Sequence, residues 1–216
     1  MIVVRNLSKV IKNKKEEHVI LSNISLETPE KGLVLLYGKS GCGKTTLLNI
    51  LEGLDKKYLG TVEIFGQNLK NVNINSYLKN DISIIFQETN FMTGYTVLEN
   101  LELIFGIKKI KLNNKLFNKK LFEFNLSDFL NKRVETLSGG EKQIILLLSV
   151  YFHKSKILFC DEPTGSMDED SEQIAISILK ELSEDRLVFV VSHNVDLFSK
   201  YCDKLFTLNE GGISEV

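Results

Sequence analysis

The sequence predicts an α/β fold with a mostly parallel β-sheet. Short apolar runs alternate along the chain with stretches of helical periodicity, and several of these runs are continuous. Continuous apolar runs are typical of strands buried on both faces, as the strands of a parallel sheet are. A glycine-rich segment also joins one such run directly to a helical stretch. Strands that alternate with helices in this way favour a layered α/β core.

The predicted elements follow one another along the whole chain. The strands are Ile2–Leu7, Val19–Leu26, Leu33–Tyr37, Val62–Phe65, Ile82–Phe86, Ile157–Cys160, Leu187–Val191 and Leu205–Leu208. The helices are Lys44–Leu54, Thr96–Phe105, Gly139–Phe152, Asp170–Leu182 and Val195–Tyr201. The segment from Glu88 to Thr136 is rich in Lys, Asn, Leu and Phe and has no strong strand pattern. It is predicted to be a helical insertion.

Composition narrows the class of protein. The chain has 216 residues, 43% of them hydrophobic, and a formal net charge of -1. This composition is close to the globular average, which argues against disorder, and it lacks the overall positive field that attracts nucleic acid. The cysteines Cys42, Cys160 and Cys202 form no CxxC pair, which favours a reducing compartment. No apolar run approaches the roughly 20 residues that cross a bilayer, so we expect a cytoplasmic protein.

Residues Gly38–Thr45 fit the phosphate-binding pattern G-x-x-x-x-G-K-[ST]. The glycines allow a tight turn in which consecutive backbone N–H groups point inward and form a nest for an anion. The helix that begins near Lys44 adds its partly positive amino terminus. Lys44 is expected to reach the β- and γ-phosphates of a nucleotide and Thr45 to ligate Mg²⁺, while Thr46 donates to the α-phosphate. A plain glycine-rich turn is the weaker interpretation.

Two carboxylates follow the apolar run Ile157–Cys160. Asp161 ends this predicted strand, beside the phosphate loop in a parallel sheet, where it can hold Mg²⁺ through water. Glu162 comes next and is placed to orient or deprotonate an attacking water. The alternative is a helix cap with a solvated neighbour.

A further motif identifies a family that the chain resembles. Leu137-Ser138-Gly139-Gly140-Glu141 precedes Asp161-Glu162 at the spacing of a signature motif. Together with the phosphate loop, these motifs make the chain similar to the nucleotide-binding domain of an ABC (ATP-binding cassette) transporter over essentially its whole length. The other family motifs stand in order, namely a Q-loop at Gln87, a D-loop at Gly165–Asp168 and a switch histidine at His193.

The resemblance implies an ATPase that uses ATP and Mg²⁺. The catalytic residues would be Lys44, Gln87, Glu162 and His193, and the metal would be held by Thr45, Gln87 and, through water, Asp161. The residues that bind ATP would be Gly38, Lys39, Ser40, Gly41, Cys42, Gly43, Lys44, Thr45, Thr46 and Ile11. The signature, Leu137–Glu141, would meet the ATP of a second copy, so that two chains enclose two nucleotides head to tail. Asp168 would shape the surface between the copies.

The resemblance also implies the domain organisation. A P-loop NTPase core with an amino-terminal antiparallel β-subdomain would comprise residues 1–87 and 137–216, and a helical subdomain residues 88–136, all within one cassette domain. Two positions depart from the family pattern. Ile11 stands where an aromatic residue commonly stacks on adenine, although His18 could take that role, and Ile144 stands where an arginine usually follows Gln143.

The resemblance implies a separate transmembrane permease as partner. Its coupling helix would dock in the groove between the core and the helical insertion, close to Gln87, and the chain would lie peripherally on the inner face of the membrane. The segment around Phe91–Leu101 is similar to small cassettes of lipoprotein-release, macrolide-export and antimicrobial-peptide-resistance systems, which implies export of a lipid, peptide or antibiotic. The alternatives are a regulatory cassette that signals through a membrane partner, and a soluble cassette of translation or DNA repair. A lysine cluster is interpreted as a solvated surface, or else as a contact with an acidic partner or with anionic lipid headgroups. The members of the cluster are Lys108, Lys109, Lys111, Lys115, Lys119 and Lys120. Nucleic acid is not expected as a partner.

Overall fold

Two β-sheets and a set of helices form the computed structural model, which describes residues 1–12, 17–87 and 91–216. The strands are β1 (Ile2–Lys12), β2 (Glu17–Glu27), β3 (Gly32–Tyr37), β4 (Leu59–Ile64), β5 (Gln67–Asn68), β6 (Ile82–Ile85), β7 (Ile157–Asp161), β8 (Leu187–Ser192), β9 (Lys204–Asn209) and β10 (Gly212–Glu215). The helices are α1 (Lys44–Leu51), α2 (Ile74–Ser76), α3 (Val97–Lys108), α4 (Asn114–Glu123), α5 (Gly139–Tyr151), α6 (Glu169–Ser183) and α7 (Val195–Phe198).

The larger sheet has the strand order β10-β9-β3-β8-β7-β6 within the described residues. All its pairs are parallel except β9 with β10, which confirms the mostly parallel sheet. Every residue of β8 is buried, as are all but the last of β3 and of β7. The continuous apolar runs therefore belong to strands that are covered on both faces.

The smaller sheet pairs β2-β1-β4-β5 and is antiparallel throughout. This confirms the antiparallel amino-terminal sheet that the family resemblance implied. Ile2, Leu7, Leu21 and Ile24 point into a hydrophobic cluster shared with α1 and the larger sheet, and each has no exposed surface. Burial of apolar surface stabilises the contact between the two sheets, by about 25 cal/mol for each Å² removed from water.

Strand β2 packs closely against two glycines, one in the phosphate loop and one in the β9–β10 turn. A Cβ atom at Gly43, whose φ is +107°, would lie 2.9 Å from Leu21 Cδ2 and 3.1 Å from the Ile20 carbonyl oxygen. A Cβ atom at Gly211, in the β9–β10 turn, would lie 2.9 Å from the same oxygen. The Ser22 N–H also donates to the Gly211 carbonyl at 2.8 Å. The loop, the turn and β2 are thus in direct backbone contact.

Residues 91–136 carry α3 and α4 and, as described, no β-strand of either sheet. Helix α3 begins with a capping box between Thr96 and Glu99, which satisfies backbone donors at its first turn. Leu101, Phe117 and Leu121 pack into the same apolar cluster as the larger sheet. The expected start of the helical subdomain at Glu88 lies outside the described residues, and its boundaries stay a prediction. No helix in the described ranges is long and apolar enough to cross a bilayer.

Some predicted boundaries are wrong. Helix α1 ends at Leu51 rather than Leu54, because Gly53 has a φ of +76° and leaves the helical conformation. The short strands β5 and β10 and the π-helical turn Tyr77–Asp81 after α2 were not predicted separately. These elements are short or polar, so periodicity does not reveal them.

The lysine cluster is not uniformly a solvated surface, so that interpretation is wrong for two of its members. Lys120 is only 4% exposed, and its ammonium lies 2.6 Å from Glu181 and 3.0 Å from Glu123. Lys108 is half-buried and donates to the Leu78 carbonyl oxygen at 3.1 Å. Both lysines therefore join the helical segment to the rest of the molecule.

Candidate functional site

The phosphate-binding loop joins the buried strand β3 to helix α1. Gly43, immediately before the helix, has a left-handed conformation that glycine adopts without strain. The Lys44 ammonium donates to the Gly38 carbonyl oxygen at 2.7 Å and to the Lys39 carbonyl oxygen at 3.1 Å. Since Lys44 is 9% exposed, its charge is held within the loop, where an anion bound by the backbone N–H groups would meet it.

Thr45 and Asp161 bring two oxygens together at the floor of the site. The Thr45 hydroxyl donates to Asp161 Oδ2 at 3.2 Å. Burial raises the pKa of the Asp161 carboxyl, the negative charge of Glu162 adds to this, and Thr45 and Lys44 act in the opposite direction. A bound cation would favour the ionised carboxylate and so oppose the effects of burial and of the Glu162 charge. Hydroxyl and carboxylate oxygens are ligands that suit Mg²⁺. Across the described residues, no group of three or more His, Cys, Asp and Glu side chains could hold a metal.

Glu162 follows β7 in a left-handed backbone conformation, with a φ of +48°. Its Oε2 atom accepts from the Ser192 hydroxyl at 3.2 Å and from the His193 backbone N–H at 3.3 Å, and it lies 2.9 Å from His193 Nδ1. The Glu162 N–H in turn donates to the Val191 carbonyl at 2.9 Å. A positive φ is uncommon outside glycine and marks a position that its surroundings hold in place. The end of β8 thus fixes the orientation of this carboxylate.

These groups surround one cleft of about 410 Å³. Its lining residues are Ile20, Ser40, Gly41, Gly43, Lys44, Thr45, Thr46, Gln87, Asp161, Glu162 and His193. The structure therefore brings together most of the residues expected at the phosphates, although they come from four separate parts of the chain. Gly38 and Lys39 contribute through their carbonyl groups, as described above. Cys42 is half-buried in the same loop without lining the cleft.

Ile11 does not line this cleft, whereas Ile20 of β2 does. Ile11 is 43% exposed and pairs with His18 across β1 and β2. Sequence reasoning missed Ile20 because its position depends on the contact between β2 and Gly43, which joins residues distant in the chain. It also missed Ser192, although this residue stands directly before His193 at the end of a buried strand.

The signature residues lie outside the cleft of their own chain. Ser138 caps α5, since its hydroxyl accepts from the Glu141 N–H at 3.1 Å while Glu141 Oε2 accepts from the Ser138 N–H at 2.6 Å. A Cβ atom at Gly139 would lie 3.2 Å from Ser166 Oγ, and one at Gly140 would lie 3.3 Å from Met167. The first turn of α5 therefore rests against the D-loop. Leu137 is buried beneath this turn.

Asp168 caps α6 at the end of the D-loop. Its carboxylate accepts from the Ser171 backbone N–H at 2.8 Å, and this bond lowers the pKa of the carboxyl. Gln143 of α5 is buried and donates to the Phe86 carbonyl at 3.3 Å, next to Gln87. Ile144 is 3% exposed within the apolar core. The aliphatic Ile144 side chain suits these apolar surroundings, where an arginine would need a partner for its charge.

One buried carboxyl near the site was not predicted. Glu52, at the end of α1, is 1% exposed, and its Oε1 atom has no hydrogen-bond partner. Burial raises the pKa of Glu52 to about 8, and the nearby charge of Asp161 contributes to the shift. An acid inside the apolar run Leu47–Leu54 is a visible signal, but the sequence alone does not show that it faces inward.

The comparisons with known proteins agree with this arrangement. A model of the ABC transporter family matches residues 21–165. The chain is 36% identical to an uncharacterized ABC transporter ATP-binding protein, MJ1508, of Methanocaldococcus jannaschii, over 100% of this chain and 99% of that protein. It is 33% identical to the lipoprotein-releasing system ATP-binding protein LolD of Wigglesworthia glossinidia brevipalpis, over 96% and 93%.

A solved structure is also similar over the whole chain. The dimeric ATP-binding cassette MJ0796, in a post-hydrolysis state bound to ADP and Pi, superposes with a TM-score of 0.84 at 26% identity. The match covers 100% of this chain and 98% of that one.

Proposed function

Because the chain belongs to the ABC transporter family, as an ATP-binding cassette with ATPase activity, we propose that it drives a separate membrane permease by closing and opening a head-to-tail dimer around two ATP molecules. The observation that carries this proposal is the single cleft in which Lys44, Asp161, Glu162 and His193 converge. The family and its enzymatic activity rest on the comparisons, whereas the residue roles and the metal are proposed from the geometry and the direction of transport from the similarity to a lipoprotein-releasing subunit.

ATP binds along the loop, with its phosphates on the backbone N–H groups of residues 38–46 and the Lys44 ammonium. Thr45, Asp161 and Gln87 hold Mg²⁺, with Asp161 acting through water. The proximity of the Thr45 and Asp161 oxygens supports this donor set. The ion supplies positive charge that offsets the charge of the phosphates. Ile20 covers the nucleotide at the β2 side of the cleft, and Ile11 remains a candidate for contact with the base.

Glu162 acts as the general base for the attacking water, and His193 contacts the γ-phosphate. The hydrogen bonds from Ser192 and His193 support this assignment because they orient the Glu162 carboxylate before any substrate is bound. A base positioned in this way spares the cost of reorientation during the reaction. Gln87 stands between β6 and the helical segment along the chain, and the carbonyl of its neighbour Phe86 accepts from Gln143 of α5.

The signature completes the site of the partner copy. The first turn of α5 presents backbone N–H groups and a positive dipole end, which suit a phosphate. That these residues do not line their own cleft supports the proposal that they meet the phosphates bound to a second chain. The contact of Gly139 and Gly140 with the D-loop places both motifs on the same surface.

A charge change at the signature should separate hydrolysis from nucleotide binding. Ser138→Asp preserves the helix cap, because Asp also accepts from the N–H three residues on, but it places a negative charge against the partner's phosphate. We expect unchanged ATP affinity of the monomer and at least about a tenfold loss of hydrolysis, equivalent to about 1.4 kcal/mol. Equilibrium binding of a fluorescent ATP analogue and phosphate release measure the two quantities.

Ser138→Asn is the matched control, since it caps the helix without adding charge. It should hydrolyse ATP at a rate much closer to that of the wild type. A Ser138→Asp protein that hydrolyses ATP normally, or that loses monomer binding in parallel, would contradict a site shared between two chains.

An exposed apolar patch on the helical segment is the proposed contact with the permease. Tyr95, Leu103 and Ile107 border one shallow depression, and they are 43%, 40% and 73% exposed. Phe86, beside Gln87, is 49% exposed. Large exposed apolar side chains that lie together indicate an interaction surface. Leu103 and Ile107 lie on α3, so movement of the permease at this patch would act on the helical segment.

A carboxylate in this patch should detach the protein from membranes. Ile107→Asp is expected to lower the fraction that sediments with membranes at native expression levels at least several-fold, because a charge cannot be buried in an apolar contact without a partner. The basal ATPase activity of the purified protein should stay unchanged. Phe122→Asp, at an 81% exposed position on α4, serves as the control, and equal losses in both variants would refute this docking surface.

We further propose that the transported substrate is a lipid, peptide or antibiotic that is moved outward, with the cassette bound peripherally at the inner face of the membrane. The similarity to a subunit of a lipoprotein-releasing system supports this substrate class. Co-purification with a permease, followed by transport assays in vesicles, would test it, and a partner without transport activity would favour a signalling role instead.

A further inference from the structure

Helices α5 and α6 both begin at the surface that is proposed to face the partner copy. The first turn of α5 carries the signature and rests against the D-loop, and α6 starts directly after the D-loop. The two helices pack against each other, and near their other ends the Tyr151 hydroxyl of α5 donates to Glu181 Oε1 of α6 at 2.8 Å. Since α5 has 13 residues, these two points of contact lie about 20 Å apart.

Lys120 of α4 joins the far ends of both helices. Its ammonium lies 2.6 Å from each carboxylate oxygen of Glu181, 3.0 Å from Glu123 and 4.9 Å from the centre of the Tyr151 ring. Only 4% of Lys120 is exposed, so these groups replace the water that a charged side chain otherwise requires. We call Lys120, Tyr151 and Glu181 the distal clamp, because the helical segment holds α5 and α6 together at this point.

The lysine and the tyrosine of the distal clamp keep their protons throughout the physiological pH range. Burial acts to lower the pKa of Lys120, but the carboxylates of Glu181 and Glu123 raise it to about 12. Burial and the hydrogen bond to Glu181 raise the pKa of the Tyr151 hydroxyl, which therefore stays a donor. The clamp is thus a permanent link rather than a pH-dependent one.

Apolar contacts also attach the helical segment to this end of α5. Phe105 and Phe117 of the segment pack edge to face on Phe152, the residue after α5, with ring centres 6.0 and 5.5 Å apart. Hydrophobic contact is non-directional, whereas an ion pair with fixed hydrogen bonds requires one arrangement, and some proteins retain such buried pairs for specificity rather than for stability. A buried charge beside this aromatic cluster therefore indicates that the position of the segment on α5 and α6 has to be defined.

We propose that Lys120 is a positioning residue, which fixes the signature relative to the D-loop from the far ends of α5 and α6 and so sets the geometry in which the partner's ATP is enclosed. This inference rests on the head-to-tail dimer proposed above. A tilt of about 3° at one end of a helix about 20 Å long moves its other end by about 1 Å. A misplacement of about 1 Å can slow a reaction about 100-fold, even when its cause is remote from the chemistry.

The first test is the affinity of the ATP-bound dimer in a Glu162→Gln protein, in which hydrolysis is slow. Lys120→Met, added to this parent, keeps the aliphatic stem and removes the charge. We expect it to raise the dissociation constant of the dimer at least about tenfold, as measured by sedimentation equilibrium with ATP and Mg²⁺. The ATP affinity of the monomer should stay unchanged, because Lys120 does not line the cleft.

Three further variants of the same parent show which property of Lys120 matters. Lys120→Arg keeps the charge and should restore most of the dimer affinity. Tyr151→Phe removes only the hydroxyl that ties α5 to Glu181, and should weaken the dimer in the same direction as Lys120→Met. Lys119→Met, at an exposed neighbouring position on α4, removes the same charge outside the clamp and should dimerise like the parent.

Hydrogen exchange of the nucleotide-free monomer tests the positioning role without the dimer. In Lys120→Met, the amides of the first turn of α5 and of the D-loop should exchange at least about threefold faster, although they lie about 20 Å from the clamp. Amides of β7 and β8, in the interior of the larger sheet, should not change. A role confined to local packing would accelerate exchange only in α4 and at the adjoining ends of α5 and α6.

The proposal is overturned if Lys120→Met dimerises as tightly as its parent, or if exchange increases only around the substitution. If Lys120→Met also loses monomer ATP binding, its structure is generally disturbed and Tyr151→Phe decides, so that an unchanged dimer affinity in that variant overturns the proposal. If the Glu162→Gln parent itself does not dimerise with ATP, the proposed head-to-tail function fails, and hydrogen exchange alone decides whether the clamp positions the signature.

Discussion

Glu162→Gln is expected to bind ATP normally, to hydrolyse it at least about 100-fold more slowly and to accumulate as an ATP-bound dimer. The amide keeps the size of the side chain and can still accept from Ser192 and His193, so the cleft retains its shape. It cannot take a proton from water. General-base catalysis contributes about 10²–10⁴ to a rate, and this contribution is what the variant loses.

Light scattering during gel filtration with ATP and Mg²⁺ measures the dimer, and phosphate release measures turnover. Glu30→Gln, an exposed acid on the amino-terminal side of β3, is the control and should behave as the wild type in both assays. If Glu162→Gln hydrolyses ATP at an unchanged rate, Glu162 is not the base. If it fails to dimerise while hydrolysis is lost, trapping of the closed state is refuted.

Glu52→Gln is expected to stabilise the protein at pH 8, by on the order of 2–4 kcal/mol. The pKa of Glu52 is raised to about 8 in the folded state, against a reference value of 4.5. Between these two pH values the unfolded chain ionises while the folded chain keeps its proton. The free energy of the unfolded state therefore falls relative to that of the folded state as the pH rises, and folding stability decreases until the folded pKa is passed. A neutral amide has no such dependence.

The measurement is the free energy of unfolding from urea titrations at pH 5, 6.5 and 8. The difference between Glu52→Gln and the wild type should grow across this range, whereas the Glu30→Gln control should show no growing difference. The slope decides the matter, since an unpaired amide would lower stability by a similar amount at every pH. A difference that does not change with pH would show that Glu52 is ionised in the folded protein.

The sequence predicts well those parts of the site that short segments determine. The loop Gly38–Thr45 has its conformation encoded locally, in its glycines and in the strand and helix that flank it. Asp161 and Glu162 follow from the end of a buried apolar run, because parallel strands place their carboxyl ends on one edge of the sheet. The family resemblance implied only that Glu162 and His193 are both catalytic, and their direct contact at the ends of β7 and β8 was not predicted.

Features that depend on distant contacts were not predicted. The inward orientation of Glu52 depends on how α1 packs on β7. The burial of Lys120 depends on its ion pair with Glu181, which lies far along the chain. Judged by residue type alone, a glutamate or a lysine is expected on the solvated surface. Ile20 enters the cleft because the Gly43 backbone fixes β2, a relation between two sheets that no local pattern contains.

The contact of β2 with Gly43 and Gly211 limits how this protein can exchange parts with its relatives. A methyl group at either glycine would press on the Ile20 carbonyl and tilt the strand away from the nucleotide. A chimera that takes the amino-terminal sheet from another cassette should therefore take the β9–β10 hairpin with it, although the two are far apart in the sequence. The parts that recombination has to keep together are elements in contact in the folded protein, and they do not form one continuous stretch of sequence.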